Sequence, residues 1–174
     1  MRIKKTGIIF SVVVFFFIGC AGMQPVTEAD RTFERIVPAP GHNKDEIYDS
    51  VKMWIAENFR SAKAVIEYDN KQAGTIIGNG NMKYPCSGLD CIAKNDWTVP
   101  FTLRVDVKDE KFRLIFSNIK LSWPPKVNST VGYQKGYNGP VNTKGDLDTI
   151  KPKLLALGDQ ILSSINTGAT KSDW

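Results

Sequence analysis

Two cysteines in the middle of the sequence, Cys86 and Cys91, are the residues best suited to covalent chemistry. They lie in the segment PCSGLDC, between two stretches with the pattern of strands. Such a pair can form a disulfide, act as a redox couple or bind a metal ion. Zinc usually takes four ligands, and the only histidine, His42, is far away in sequence. The spacing also differs from the CxxC of redox motifs. In an exported chain the pair favours a structural disulfide, with a redox couple and a metal site as alternatives.

His42 is the residue on which a hydrolase site would have to be built. A nucleophile needs an adjacent base and a third group that orients the base. The acids nearest to His42 in sequence, Asp45 and Glu46, lie where a helix is expected to begin and suit its positive N-terminus. The sequence contains no GxSxG, HExxH or Cys/His signature. We therefore predict no catalytic residue, no metal site and no cofactor, and keep an envelope hydrolase of unidentified class as the alternative function.

The first 19 residues have the pattern of a secretory signal peptide. A basic start is followed by the apolar run GIIFSVVVFFFIG, from Gly7 to Gly19. A helix that crosses a bilayer needs about 20 apolar residues, so this run is too short for a stable span. We therefore expect residues 1–19 to be cleaved.

The cleavage site is indicated by the sequence Phe17-Ile18-Gly19-Cys20. This quartet resembles the lipobox of bacterial lipoproteins, with Phe17 where that family usually has Leu. The resemblance implies that the Cys20 thiol receives a diacylglycerol and that the new amine is acylated, which gives a membrane anchor. Ala21 after the cysteine resembles lipoproteins sorted to the outer membrane. We therefore expect a lipid-anchored protein of the bacterial cell envelope, in the outer membrane and facing the periplasm.

Removal of the signal peptide changes the charge more than the size of the chain. It leaves 155 of the 174 residues, and the net charge falls from +5 to +2 because Arg2, Lys4 and Lys5 are lost. A charge of +2 offers no excess to neutralise phosphates, so we exclude nucleic acid as a partner. The domain boundaries follow: acylated Cys20 and a tether at 20–31, one domain at 32–166, and a C-terminal tail at 167–174.

The first half of the domain is predicted to contain a strand, a helix and two more strands. Residues 32–38 form the first strand, and Asn43 with Glu46 has the pattern of a capping box at the start of a helix. Residues 64–69 and 75–84 form strands around a turn at 70–74. Gly78 and Gly80 weaken the second of these or mark a bulge or a close approach. The helix has one apolar face, made of Ile47, Tyr48, Val51, Trp54, Ile55 and Phe59.

The clearest pattern is the alternation of apolar and polar residues over 97–108, which predicts a strand with one wet face. The segment 108–111 forms a hairpin turn, and the alternation resumes at Phe112. After Ser117 the phase shifts by one residue, which indicates a bulge or a strand end. A final helix ends near Ile165; if Thr149 caps it, Pro152 falls in the first turn, where its missing N–H costs no helical bond.

The segment 122–145 is rich in Pro, Gly, Asn and Tyr and has no clear period. A loop of this length is often functional, although it can also contain a short strand. Its aromatic residues Trp123, Tyr133 and Tyr137 are candidates for a binding surface, since exposed aromatic side chains are common anchors at interfaces. The alternative is that these rings cover the sheet.

The order β-α-β-β-β-β-α predicts an α+β fold, in which two amphipathic helices pack on one face of an antiparallel sheet. Over about residues 32–121 the sequence resembles a bacterial domain of unknown function with a TATA-binding-protein-like fold. The resemblance implies that fold and an envelope setting, and it implies no activity. It is carried by five segments: Arg35-Ile36-Val37, residues 44–48, Trp54-Ile55-Ala56, residues 61–66 and residues 73–80.

Taken together, the sequence predicts a lipid-anchored envelope protein that acts as a binding or structural module. The membrane is the partner through Cys20, and an envelope protein or a glycan is the partner of the domain. Its ligand is not determined by the sequence.

Overall fold

The computed structural model describes residues 25–59, 66–128 and 132–168. The predicted signal peptide, Cys20 and residues 169–174 of the predicted tail lie outside these residues, as do residues 60–65, which include the first two positions of the strand predicted at 64–69. Among the described residues, no helix has the length and apolar character needed to cross a membrane.

The packed part of the chain begins before the predicted boundary at residue 32. Pro25 forms an isolated bridge with Thr143, and the Val26 N–H donates to the Asn142 carbonyl at 3.2 Å. A single 3-10 turn follows at Ala29–Arg31, and the Arg31 guanidinium donates to the Val26 and Val141 carbonyls, both at 3.2 Å. The tether predicted at 20–31 therefore ends at residue 25, because long-range hydrogen bonds attach the following residues to the domain.

Helix α1, Lys44–Asn58, begins where the sequence predicts. The Asn43 side chain accepts from the Glu46 N–H at 3.0 Å, and the Glu46 side chain accepts from the Asn43 N–H at 3.1 Å. This is the predicted capping box, which satisfies two backbone donors that a helix start leaves free. The apolar face of α1 is buried through Ile47, Tyr48, Val51, Trp54 and Ile55.

Seven strands of the described chain form one antiparallel sheet. The central order is β1-β5-β4-β3-β2, and β6 and β9 extend the sheet from β4. The strands are β1 Phe33–Pro38, β2 Ile66–Asn70, β3 Thr75–Lys83, β4 Thr98–Lys108, β5 Lys111–Ser117, β6 Lys120–Trp123 and β9 Tyr137–Pro140. A separate two-stranded hairpin is formed by β7 Lys126–Asn128 and β8 Gly132–Gln134.

One face of the sheet is buried, as the alternation in the sequence predicts. Every second residue of β4 and β5 is buried under the helices, whereas the residues between them lie on the open face. The buried residues of these two strands are Val99, Phe101, Leu103, Val105, Val107, Phe112, Leu114 and Phe116. The α+β class with helices on one side of an antiparallel sheet is confirmed.

The predicted phase shift after Ser117 is a change of register between neighbouring strands. Thr102 of β4 pairs with Ser117 of β5, and Thr98 of β4 pairs with Ser122 of β6. Between these two pairs the chain advances four residues along β4 but five residues from β5 to β6. Asn118 lies in this step with φ 51°, in the left-handed region that Asn tolerates. The extra residue ends β5 and starts β6, which then carries β9 on its far edge.

The two glycines of β3 have different roles. A Cβ on Gly80 would lie 2.4 Å from Cζ of Phe101, so Gly80 marks a close approach. The bulge of this hairpin lies in β2, between Ile66 and Tyr68, and Ile66 pairs with Gly78.

The second half of the chain contains four short elements that the predicted element order lacks. The segment 122–145 contains β7, β8 and β9, and a short helix α2, Asp90–Lys94, follows the first cysteine. These strands are three or four residues long and α2 has five residues, which is too short to produce a clear period in the sequence.

The last helix is two helices, α3 Lys144–Leu155 and α4 Leu157–Gly168. The prediction that Thr149 caps it is wrong: Thr143 is the N-cap, and its hydroxyl accepts from the Asp146 N–H at 3.2 Å. Pro152 consequently lies inside α3, and the helix ends three residues later. Helix α4 includes residues 167 and 168 of the predicted tail.

Close packing of α4 on the sheet depends on Gly158. A Cβ there would lie 2.8 Å from Cγ2 of Val37 in β1. Arg35 of β1 holds the junction of the two helices, because its guanidinium donates to the Leu155 carbonyl at 2.8 Å and to both Asp159 carboxylate oxygens.

Candidate binding surface

Four aromatic rings form a row at one end of the sheet. Tyr84 follows β3, Trp97 precedes β4, Trp123 ends β6 and Tyr137 begins β9, so each ring comes from the next strand across the sheet. Trp97 and Trp123 stack with centroids 4.1 Å apart, and Trp123 stacks on Tyr137 at 4.6 Å. Tyr84 meets Trp97 edge-on at 5.6 Å. The pairing of Trp123 with Tyr137 in the ladder places these rings in contact.

Trp123 and Tyr137 also make polar contacts within the domain. The Trp123 indole N–H donates to the Lys135 carbonyl at 3.4 Å, and the Tyr137 hydroxyl donates to the Pro140 carbonyl at 2.8 Å. Asn142 Nδ2 donates to the same hydroxyl at 3.0 Å. Both residues are half-buried and pack on the core. These two rings therefore cover the end of the core, which favours the structural alternative for this pair.

The Cys86–Cys91 disulfide closes the loop between β3 and β4. The two Cα atoms are 5.0 Å apart, and the structure thus contains the predicted bond. The loop leads into α2, in which no residue is buried. A five-residue helix is too short to be stable alone. Its position therefore depends on the disulfide and on polar contacts with the rest of the domain.

Lys94 at the end of α2 makes most of those contacts. Its Nζ lies 4.7 Å from the centroid of the Tyr84 ring and 5.1 Å from that of Trp97. The same Nζ is 3.3 Å from Oδ1 of Asp146, which also accepts from the Tyr84 hydroxyl at 2.7 Å. Lys94 thus links the disulfide loop to the first turn of α3.

The ionisation of this cluster follows from its surroundings. Burial raises the pKa of the Tyr84 hydroxyl, and its hydrogen bond to Asp146 adds to the effect. Burial alone would also raise the pKa of Asp146, but hydrogen bonds from Thr143 and Tyr84 and the charge of Lys94 bring it below the ordinary value. Because the pKa of Asp146 is lower in the folded chain than its unfolded value of 3.8, the ionised carboxylate stabilises the fold at any pH above 3.8. This contribution is lost as the pH falls through the lower, folded pKa. The cluster therefore holds α2 at neutral pH.

The β7–β8 hairpin leaves the sheet between β6 and β9 and contacts α2. Lys126 Nζ lies 2.7 Å from Oδ1 of Asp96 and donates to the Ala93 carbonyl at 3.5 Å. Val127 and Tyr133 pair directly across the hairpin, so their side chains share one face. They are 84 % and 70 % exposed, respectively.

Two further large apolar side chains are exposed on the disulfide loop and α2. Leu89 is 84 % exposed and Ile92 is 76 % exposed. We call Leu89, Ile92, Val127 and Tyr133 the apolar tips, because they lie on the two segments that project beside the aromatic row. Large apolar side chains that are exposed on adjoining segments can form a patch of the kind that marks an interaction site.

The three binding residues that the sequence predicts, Trp123, Tyr133 and Tyr137, lie in two different places in the structure. Trp123 and Tyr137 are brought together and packed, whereas Tyr133 lies apart from them on the hairpin. Leu89, Ile92 and Val127 were missed, because single apolar residues in short segments carry no pattern. Cys20, the predicted lipidation site, lies outside the described residues.

His42 lies in the turn before α1. Its Nε2 is 3.2 Å from Oδ1 of Asn166, and its Nδ1 is 3.6 Å from Oε2 of Glu46. In the described parts of the chain, no cluster of three or more His, Cys, Asp and Glu side chains is arranged to hold a metal ion.

The family is decided by a sequence model for a domain of unknown function with a TBP-like fold, DUF4468, which matches residues 33–122. The chain belongs to the DUF4468 family. The match covers just over half of the chain, from the start of β1 to Ser122, one residue before the end of β6, and it confirms the resemblance found over residues 32–121. The apolar tips of the β7–β8 hairpin and the helices α3 and α4 lie beyond the matched region of this DUF4468 protein. No curated protein matches the sequence.

Two solved structures share the fold. A DUF4468 family protein from Bacteroides ovatus is 16 % identical, with a TM-score of 0.52 over 78 % of this chain and 84 % of that one. A TBP-like protein from Parabacteroides distasonis is 17 % identical, with a TM-score of 0.57 over 85 % of this chain and 98 % of that one. At these identities the similarity establishes the fold alone.

Proposed function

We propose that this DUF4468 protein is a lipid-anchored module of the bacterial envelope that binds a protein partner through its apolar tips. Cys20 carries the anchor in the outer membrane, and the domain faces the periplasm. The observation that carries the binding function is the exposure of Leu89, Ile92, Val127 and Tyr133 on two adjoining segments.

The way these segments are held supports a binding role. The disulfide and Lys94 fix α2, and Lys126 joins the hairpin to it through Asp96. A backbone segment that is already held loses less conformational entropy on binding than a mobile one, so apolar residues carried on such segments bind with a smaller entropic cost. An aliphatic and aromatic surface of this kind suits an apolar groove on another protein.

The place where the anchor would join the domain supports the same orientation. Pro25 pairs with Thr143 near the Pro140 end of β9, whereas the hairpin joins β9 at Tyr137, the opposite end. Four residues lie between Cys20 and Pro25, so the five Cα-to-Cα steps that join them reach about 18 Å when extended. We expect the hairpin to project away from the bilayer that holds Cys20, toward a partner in the periplasm.

His42, on which the hydrolase alternative would be built, has two polar partners among the described residues. Its Nε2 faces Oδ1 of Asn166 and its Nδ1 faces Oε2 of Glu46. A nucleophile next to the base, which the hydrolase alternative requires, is absent from this pair of contacts.

Site-specific crosslinking in intact cells tests the binding function. A photo-crosslinking amino acid at Val127 is expected to yield one defined adduct, identified by mass spectrometry. The same group at Met53, which is 61 % exposed on α1, is the matched control and should not yield that adduct. Placing Asp at both Leu89 and Tyr133 should abolish the Val127 adduct while the thermal transition stays within about 2 °C, because both side chains are exposed.

Two results would contradict the proposal. One is an identical adduct pattern from positions 127 and 53. The other is an adduct at 127 that survives both Asp substitutions in a folded protein.

A further inference from the structure

A second candidate site lies on the open face of the sheet, away from the apolar tips. A cavity of about 230 Å³ is lined by Ile36, Asp106, Lys108, Lys111, Phe112 and Arg113. It lies at the turn between β4 and β5, whereas the aromatic row crosses the other end of β4.

Two lysines oppose each other at this cavity. Lys108 and Lys111 are direct partners in the β4–β5 ladder, and both are exposed. Like charges in this position repel and destabilise a hairpin. Within the described chain, no ion pair joins either ammonium group to a carboxylate. The Asp109 carboxylate in the turn accepts from the Lys44 backbone N–H instead.

The next pair on the same face of the ladder, Asp106 and Arg113, differs because its charges are already satisfied. Asp106 accepts from Arg113 at 2.8 Å, from Arg104 at 2.9 Å and from Thr75 at 3.0 Å. Arg113 also lies 3.5 Å from Glu34. Asp106 is therefore unavailable to neutralise the lysines, and two unmatched positive charges remain at the mouth of the cavity.

The geometry points to a site for a phosphate monoester, held by Lys108 and Lys111 with its organic group against Ile36. A phosphate monoester carries between 1.5 and 2 negative charges at neutral pH, which matches two unpaired ammonium groups. Ile36 is 59 % exposed on the open face and provides an apolar wall beside these charges. The source of the phosphate, either a free monoester or a phosphatidic acid headgroup, is distinguished by the probes below.

Calorimetric titration of the purified full-length chain tests this site with four probes. They are inorganic phosphate, butyl phosphate, dihexanoyl phosphatidic acid and, as the lipid without a monoester, dihexanoyl phosphatidylcholine. We expect butyl phosphate to bind more tightly than inorganic phosphate, and phosphatidylcholine not to bind. Saturable binding of the phosphatidic acid with at least tenfold higher affinity than butyl phosphate assigns the headgroup; otherwise the free monoester is the ligand.

Substitutions give the decisive comparison. Lys108→Glu should weaken butyl phosphate binding by about tenfold or more, because it removes one charge-assisted contact. Lys83→Glu is the matched control: Lys83 is exposed on the same face at the far end of β3, so the net charge changes equally and the affinity should stay within about twofold. Ile36→Asn should remove the preference for butyl phosphate over inorganic phosphate.

A thermal scan without phosphate separates a loss of binding from a loss of folding. Lys108→Glu should have a melting temperature equal to or above that of wild type, since it replaces a repulsive pair by an attractive one. Equal weakening by Lys108→Glu and Lys83→Glu would overturn the proposal, because it would show general charge screening. Absence of saturable binding of every phosphate probe to the folded wild type would also overturn it.

Discussion

At the residue scale, a single missing Cβ determines how the central strands pack. Gly80 lies in β3 directly opposite Phe101 in β4, and the Phe101 ring occupies the space that a side chain would take. The centroid of that ring also lies 5.8 Å from the centroid of the Phe59 ring and 5.9 Å from that of the Phe116 ring. The glycine therefore allows one aromatic ring to join α1, β4 and β5 in the same core.

Gly80→Ala should destabilise the domain. The added Cβ would lie 2.4 Å from Cζ of Phe101, and a buried ring held by two others cannot move away without disturbing them. We expect the free energy of unfolding in urea to fall by about 1–3 kcal/mol, the usual cost of overpacking. Gly168→Ala is the control, because its nearest atom is Ser50 Oγ at 3.9 Å, and it should change stability by less than about 0.5 kcal/mol. Equal stability of the two variants would contradict the packing described for Phe101.

At the element scale, α2 is held by its contacts rather than by a buried face. No residue of α2 is buried, whereas α1 buries five. Three contacts hold α2 instead of a core. They are the disulfide between Cys91 in α2 and Cys86 before it, the cluster around Lys94, and the ion pair of Lys126 with Asp96. Such an element opens locally at lower cost than the strands beside it.

Replacing both Cys86 and Cys91 by Ser should therefore act locally. Closing so small a loop restricts the unfolded chain by about 2 kcal/mol, so the global stability should fall by no more than this. Amide hydrogen exchange should accelerate over residues 88–95, while the amides of β3 and β4 keep the protection set by global unfolding. Wild type treated with dithiothreitol should give the same pattern. Complete unfolding of either sample would contradict a local role for the disulfide.

At the scale of the whole molecule, Pro25, where the described chain begins, and the β7–β8 hairpin lie at opposite ends of the β6–β9 ladder. The chain enters the domain at Pro25, and the hairpin leaves it between Trp123 and Tyr137. One acyl chain holds a protein only marginally at a bilayer, whereas two or three hold it almost permanently. A lipidated Cys20 would thus keep the domain within reach of the bilayer surface.

Cys20→Ser tests this arrangement. Intact mass analysis of wild type from a bacterial host that processes lipoproteins should show loss of residues 1–19 and gain of a diacylglycerol and a fatty acyl group. The Cys20→Ser chain should lack the lipid mass and should not be cleaved after Gly19. The variant with Ser at 86 and 91 retains Cys20 and should be lipidated like wild type. A wild-type chain that keeps Met1, or an unmodified sulfur in processed protein, would contradict the anchor.

The sequence by itself determined the parts of this protein that depend on near neighbours in the chain. The capping box of Asn43 and Glu46, the alternation along β4 and the phase shift after Ser117 are each set within a few residues. The Cys86–Cys91 pair is equally local, being five residues apart. The family resemblance added the fold, and the DUF4468 match over residues 33–122 confirms it.

Only the tertiary structure decided which of these residues meet. The aromatic row, the attachment of residues 25–31 and the cavity beside Lys108 all depend on strand pairing or on contacts between distant segments. The N-cap of α3 is a local contact of Thr143 with the Asp146 N–H, but the tertiary structure adds a further bond to this first turn, because Asp146 accepts from Tyr84, 62 residues away. Local pattern fixes the conformation of a segment, but its neighbours are fixed by burial and register over the whole sheet.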